Sequence, residues 1–145
     1  MKETGRNGFQ QKVIEQLEKQ TALIFNIHGH RMQKSGWPDL QIIHRRWKGF
    51  LELKCEKYEA SALQRIVAAK IELRGTSVYV LRCVEHKYLN PELYNALADP
   101  LFNYYTLENF QGDIIKTFDD LRSLLDVLVG LEKKEKLNFN CKDKL

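Results

Sequence analysis

The chain predicts an α/β fold: a small mixed sheet in the order helix-strand-strand-strand-helix-strand, with C-terminal helical additions. Three observations carry this. Short runs with period-two alternation, such as Phe50-Leu51-Glu52-Leu53-Lys54, are interspersed with longer segments of helical period. An apolar strand, a helix stopped by Gly75 and a second apolar strand, Ser77-Val78-Tyr79-Val80-Leu81, follow one another, as in a right-handed crossover between parallel strands. Finally, 145 residues, 43% hydrophobic and 29% charged, suit one globular domain with a sizeable core.

The elements follow in order. Phe9, Val13 and Leu17, with Ile14 beside them, recur at helical spacing and predict an amphipathic helix over residues 7–20. Ala22 to His28 reads as a first strand, Gly29 to Gly36 as a polar loop, and Asp39 to His44 as a second strand. Lys48-Gly49 marks a turn before a third strand, Phe50 to Lys54. Ser61 or a neighbour opens a helix to about Arg74, whose Ala62, Leu63, Ile66, Val67, Ala68, Ala69, Ile71 and Leu73 predict a broad apolar face packed on a sheet. Beyond residue 83, Asn90-Pro91-Glu92 opens a short helix to Leu97 and Leu101 to Leu107 reads as a strand. Thr117 caps a last helix that Gly130 ends. Residues 1–130 are thus read as one domain, and the lysine-rich residues 131–145 as a tail expected to fray.

Composition excludes several classes. No apolar stretch approaches the ~20 residues of a membrane span, so no membrane partner is expected. Met1-Lys2-Glu3-Thr4-Gly5-Arg6-Asn7 holds no apolar segment of a secretory signal. Cys55, Cys83 and Cys141 are odd in number, far apart and without zinc spacing, which reads as reduced thiols in a cytoplasmic protein. Residues 31–57 carry Arg31, Lys34, Arg45, Arg46, Lys48, Lys54 and Lys57 against Asp39, Glu52 and Glu56, so the formal +4 of the whole chain lies in this one segment. Such clustering fits contact with a phosphate backbone, and Arg31, Lys34, Arg45, Arg46, Lys48 and Lys57 are the candidate DNA-binding residues. The plainer reading is edge protection of a solvated hairpin.

Within that segment stands Gly36-Trp37-Pro38-Asp39-Leu40, followed after eleven residues by Glu52-Leu53-Lys54. Asp39 and Glu52 are hard oxygen donors of the kind Mg²⁺ prefers. In a strand, Glu52 and Lys54 share one face while Leu51 and Leu53 enter the core. The set suits a divalent cation held beside a phosphodiester, against the alternative of a surface ion pair. His28 and His30 lack a third soft partner for zinc, and contact with phosphate or packing is expected of them. Trp37 and Trp47 could stack on bases, but burial is the stronger expectation.

These motifs closely resemble the PD-(D/E)xK nuclease superfamily and, within it, the VRR-NUC group of small phage and bacterial nucleases. The resemblance covers about residues 9–82. It rests on His28-Gly29 and Met32-Gln33 ahead of Gly36-x-Pro38-Asp39-Leu40, on Glu52-Leu53-Lys54, on Ser61-x-x-Gln64, and on Gly75 before an apolar strand. It implies a restriction-endonuclease-like core and an Mg²⁺-dependent deoxyribonuclease, with Mn²⁺ as substitute. Asp39, Glu52 and the backbone carbonyl of Leu53 would bind the metal. Lys54 would orient the attacking water and balance charge on phosphorus, and Gln64 would support the site. Relatives draw another acid from the first helix. Glu15 and Glu18 lie off the apolar stripe, so Glu3 is the candidate, with Gln10 as an amide substitute, and the number of metals stays open.

The resemblance further implies an endonuclease selective for DNA structure, with branched DNA such as Holliday junctions or flaps as the leading substrate. A chain this small often needs a partner to span a duplex, which makes a homodimer that cuts paired strands a candidate assembly, and the expected location is the cytoplasm of a bacterial or phage-infected cell. Two other classes remain. A catalytically silent nuclease-like module would bind DNA or assemble without cutting, and the intact Asp39, Glu52 and Lys54 argue against it. A basic interaction module with no nucleic-acid role would show neither metal affinity nor retention on DNA.

Overall fold

A computed structural model describes residues 8–27, 35–85 and 103–143, with residues 85 and 138–143 described through their backbone alone. The elements are α1 (Phe9–Lys19), β1 (Leu23–Asn26), β2 (Leu40–Ile43), β3 (Lys48–Cys55), α2 (Ala62–Glu72), β4 (Ser77–Glu85), β5 (Asn103–Glu108), β6 (Ile114–Phe118), a 3₁₀ turn (Leu121–Ser123) and α3 (Leu124–Asp143). The six strands form one mixed sheet in the order β1-β2-β3-β4-β5-β6. Only the β3–β4 pair is parallel, the neighbours on either side being antiparallel.

Alternation along the strands divides the core into two layers. Leu40, Ile42, Leu51, Leu53, Cys55, Tyr79, Leu81, Cys83, Tyr105 and Leu107 face α1 and α3, where Phe9, Val13, Leu17, Leu124, Leu125 and Leu128 complete the larger cluster. On the other face Val78, Val80 and Phe50 meet Ala68 and Ile71 of α2, with Phe110 and Trp37 at the margins. Trp47 is buried in the larger layer, and a Cβ on Gly49 would lie 2.7 Å from its ring, which explains a glycine inside a strand. No helix among the described residues is long and apolar enough to cross a membrane.

The helix-strand-strand-strand-helix-strand order stands as expected, with four differences in detail. Lys48 and Gly49 belong to β3, and the bend between β2 and β3 falls on Arg45 and Arg46. Thr117 lies in β6, and Asp120 caps the following turn through its bond from the Arg122 N–H at 2.9 Å. Gly130 does not end the last helix, which runs on to Asp143. An interior glycine costs about 1 kcal/mol relative to alanine, and the burial of Leu124, Leu125, Leu128 and Val129 outweighs it. Residues 131–143 of the segment expected to fray are therefore helical, and Tyr79 Oη donates to Glu135 there at 2.7 Å.

The fourth difference is α2. Of its apolar residues only Ala68 and Ile71 are buried, while Leu63 and Ile66 are about half exposed at 46% and 52%. Its packed stripe is narrow because the strands beneath its first turn carry polar side chains. Glu3, Arg31, Lys34, His28, His30, Met32, Gln33, His86 and the helix expected at 90–97 lie outside the described residues.

Candidate active site

Asp39 stands immediately before β2, and the β2–β3 register pairs Leu40 with Leu51, so the antiparallel ladder carries Asp39 to the level of Glu52. Both carboxylates are buried, Asp39 to 6% and Glu52 to 2% exposure. Asp39 Oδ2 accepts from the Leu53 backbone N–H at 2.7 Å. That bond locks the Pro-Asp corner onto β3. Lys54, on the same face as Glu52, places Nζ 3.4 Å from Glu52 Oε1.

The fourth member comes from α2. Ser61 and Gln64 form a capping box: Ser61 Oγ accepts from the Gln64 N–H at 3.2 Å, and Gln64 Oε1 accepts from the Ser61 N–H at 2.9 Å. The same amide donates through Nε2 to Glu52 Oε1 at 3.1 Å. Gln64 therefore supports Glu52 directly and ties the start of α2 to the site. The loop bearing Pro38-Asp39 reaches the same turn through Gly36. There φ is +85°, and a Cβ would lie 2.6 Å from Leu63 Cγ. Only glycine permits both that backbone and that approach.

Electrostatics here are unbalanced. Burial, and then the neighbouring Asp39 carboxylate, push the Glu52 carboxyl up to about 9, against the pull of Lys54. Glu52 Oε2 is buried and has no hydrogen-bond partner. Two ionised carboxylates offer each other only acceptors, so this pair holds together with a shared proton or with a cation between them. Hard oxygen donors, a buried orphan oxygen and excess negative charge fit Mg²⁺, which takes one or two carboxylates and fills its remaining positions with water and phosphate. No group of three or more His, Cys, Asp or Glu side chains gathers among the described residues.

The structure thus brings together Asp39, Glu52, Leu53, Lys54 and Gln64. It separates the hairpin bases from them. Arg45, Arg46 and Lys48 sit at the other end of the β2–β3 hairpin, Lys48 being ~13 Å along the strand from Glu52. Arg46 is paired there with Asp126 at 3.0 Å. The neighbouring His44 is buried and structural: its Nδ1 accepts from the Arg46 N–H at 3.0 Å and its Nε2 meets the Gln20 carbonyl at 2.9 Å. Lys57 is exposed on the turn after β3, at the site end. Gln10 is half-buried on α1, and Glu15 and Glu18 are exposed there.

Sequence reading missed Arg82 and Glu108. They form a largely buried bidentate pair, Nε to Oε2 at 2.8 Å and Nη2 to Oε1 at 3.3 Å, Arg82 on β4 beside Lys54 and Glu108 on the next strand, β5. The available signal was a charged residue inside each of the apolar strands Val78–Val84 and Tyr104–Glu108. Cys55 and Cys83 are buried thiols outside any disulfide, and burial pushes the Cys83 thiol up to about 11, which makes it an inert core residue. A cavity of about 480 Å³ lies at the opposite end of the sheet, lined by Glu72, Tyr79, Asn109, Gln111 and Glu135, and its acids make it a poor phosphate site. No family model, curated protein or solved structure matches the chain.

Proposed function

We propose that the chain is a metal-dependent phosphodiesterase acting on DNA, a structure-selective endonuclease of the PD-(D/E)xK kind. The observation that carries this reading is the buried Asp39–Glu52 pair, whose orphan oxygen, Glu52 Oε2, would suit a cation and whose only close ammonium among the described ion pairs is Lys54. Burying two acids together costs stability unless a bound group repays it, and sites that do so are where function concentrates.

The roles follow from the chemistry of each side chain. Asp39 and Glu52 would hold Mg²⁺, with the Leu53 carbonyl as the third protein oxygen. When bound, the cation would supply Lewis-acid polarisation of the phosphate and a more acidic water. Lys54 orients the attacking water and offsets the negative charge that grows on the phosphate oxygens. Gln64 keeps Glu52 in one rotamer, so that its oxygen is already placed when substrate arrives. The open shelf over β1 and β2, where Leu23 and Phe25 are 69% and 48% exposed, leaves this face of the sheet accessible to a duplex. Branched DNA is the leading substrate, and paired cuts across a branch would need a second copy of the chain.

The test is an Mg²⁺-dependent cleavage panel over single strands, duplex, flaps and four-way junctions, run beside Asp39→Asn. Cleavage by the wild type that vanishes in the variant supports the reading. Activity that survives in Asp39→Asn, or that needs no divalent ion, refutes it.

A further inference from the structure

The turn that follows β3 is built more firmly than a surface connection requires. Glu56 takes a left-handed backbone conformation, φ +54°, uncommon for a residue bearing a Cβ. Four hydrogen bonds hold it there. The Glu56 N–H donates to the Cys83 carbonyl at 3.1 Å and the Tyr58 N–H to the Cys55 carbonyl at 3.4 Å. Arg82 Nη1 donates to the carbonyls of Glu56, at 2.8 Å, and of Tyr58. The rest of the guanidinium grips Glu108, whose Oε2 also accepts from Thr106 Oγ1 at 2.7 Å. The Arg82 and Glu108 side chains are only 15% and 9% exposed. A buried ion pair adds little net stability because desolvation offsets its attraction. What this pair does supply is geometry: planar donors that fix two carbonyls of one turn.

That geometry serves the site. Arg82 is the register partner of Lys54 on the neighbouring parallel strand, so both side chains lie on the same face. The clamped turn sits beside Lys54 and leads directly to Ser61 and Gln64. It presents the ring of Tyr58, 69% exposed on an immobilised backbone, with exposed Lys57 next to it. A tyrosine fixed in this way loses little conformational freedom when a flat partner stacks on it. Stacking one nucleobase on an aromatic ring is worth roughly 5- to 150-fold in affinity. A base in a duplex already has both faces covered, so the ring selects for one that does not.

We propose that Tyr58 is a stacking platform for an unpaired base beside the scissile phosphate, and that Arg82 with Glu108 is the positioning clamp that presents it. The inference rests on the phosphodiesterase reading and narrows its substrate to DNA with unpaired nucleotides next to the cut.

The test compares a paired duplex with a flap carrying 2-aminopurine at its first unpaired position. Affinity and fluorescence quenching are measured for the full chain, Tyr58→Ala, Tyr58→Phe and Arg82→Lys. Tyr58→Ala should weaken flap binding at least fivefold and abolish quenching, with less than a twofold change on the duplex. Tyr58→Phe should keep both, because stacking needs the ring and not the hydroxyl. Arg82→Lys has one nitrogen in place of three and cannot hold both carbonyls and Glu108 at once, so quenching should fall although the ring remains. Equal losses on flap and duplex, or none in Tyr58→Ala, overturn the platform, and full quenching in Arg82→Lys overturns the clamp. If wild type binds and cuts DNA while Tyr58→Ala matches it, this inference alone fails. If wild type neither binds nor cuts DNA with Mg²⁺, the phosphodiesterase reading fails and takes this one with it.

Discussion

The Glu52 carboxyl is held at about 9 by burial and by Asp39, where an unfolded chain would release the proton near 4.5. Between those values the native state binds more protons than the unfolded state. Stability of the metal-free protein should therefore fall as pH rises from about 5 to 9, by at most ~1.4 kcal/mol per pH unit. Mg²⁺ held by the proposed ligands would expel the same proton, so its stabilising effect should grow with pH over that window. Glu52→Gln should abolish Mg²⁺-dependent cleavage and flatten the pH dependence, leaving the metal-free protein more stable than wild type at pH 8. Thermal melts from pH 5 to 9 with and without Mg²⁺ check both, and a wild-type melting curve that does not move with pH refutes the buried-acid account. Lys54 is argued to stabilise charge that appears only in the transition state. Lys54→Ala should lower kcat by ~10²–10³ with Mg²⁺ and DNA affinity little changed, measured by calorimetry and single-turnover cleavage. Asp39, Glu52 and Lys54 could be found from sequence because strand alternation fixes which side chains share a face. The bond from the Leu53 N–H to Asp39 could not, since it depends on how the Pro-Asp corner closes over the neighbouring strand.

At the scale of elements, the site depends on two connections to the start of α2. Gly36→Ala would force a Cβ into Leu63 at a left-handed backbone position, and should cost about 1–3 kcal/mol. It should also slow cleavage, because the displaced loop carries Asp39. Trimming Leu63 to alanine in that background should recover only part of the stability, since the Leu63 carbonyl also stands 3.1 Å from the added carbon. A double-mutant cycle by denaturation measures this coupling, and full additivity of the two changes would contradict the contact. Ser61→Ala should cost about 1 kcal/mol through loss of the cap. The hairpin and the β3–α2–β4 crossover were readable because alternation, a Ser-x-x-Gln cap and a stop at Gly75 all agree locally. The last helix was misread at both ends, for opposite reasons. Thr117 imitates a cap but pairs with Thr106 in the ladder, and Gly130 imitates a stop but is carried by packing on either side.

At the scale of the whole molecule, positive charge that is contiguous in sequence is divided in space. The hairpin turn carries Arg45, Arg46 and Lys48 at one end of the β2–β3 ribbon, and Asp39, Glu52, Lys54 and Lys57 gather at the other. The separation is set by the length of the strands, since the bases at the turn and the acids at the open end of the same hairpin are close in sequence and apart along the ribbon. The ~13 Å between Lys48 and Glu52 is less than the span of one helical turn of DNA, so one duplex laid along the ribbon could meet both ends. Removing one phosphate-binding cation there should reduce the log–log salt slope of binding by ~0.9. Arg46 is already paired with Asp126, which makes the three bases unequal. Replacing Arg45 and Lys48 by serine should lower the slope by ~1.8, and adding Arg46→Ser should lower it by less than a further ~0.9. Asp126→Asn, which releases Arg46, should steepen the wild-type slope. These changes act on positioning, so kcat at saturating DNA should stay near wild type while KM rises. Binding measured from low to moderate salt across this series decides the matter. An unchanged slope in the triple variant would mean that DNA approaches from the Tyr58 end alone, with the hairpin turned to solvent.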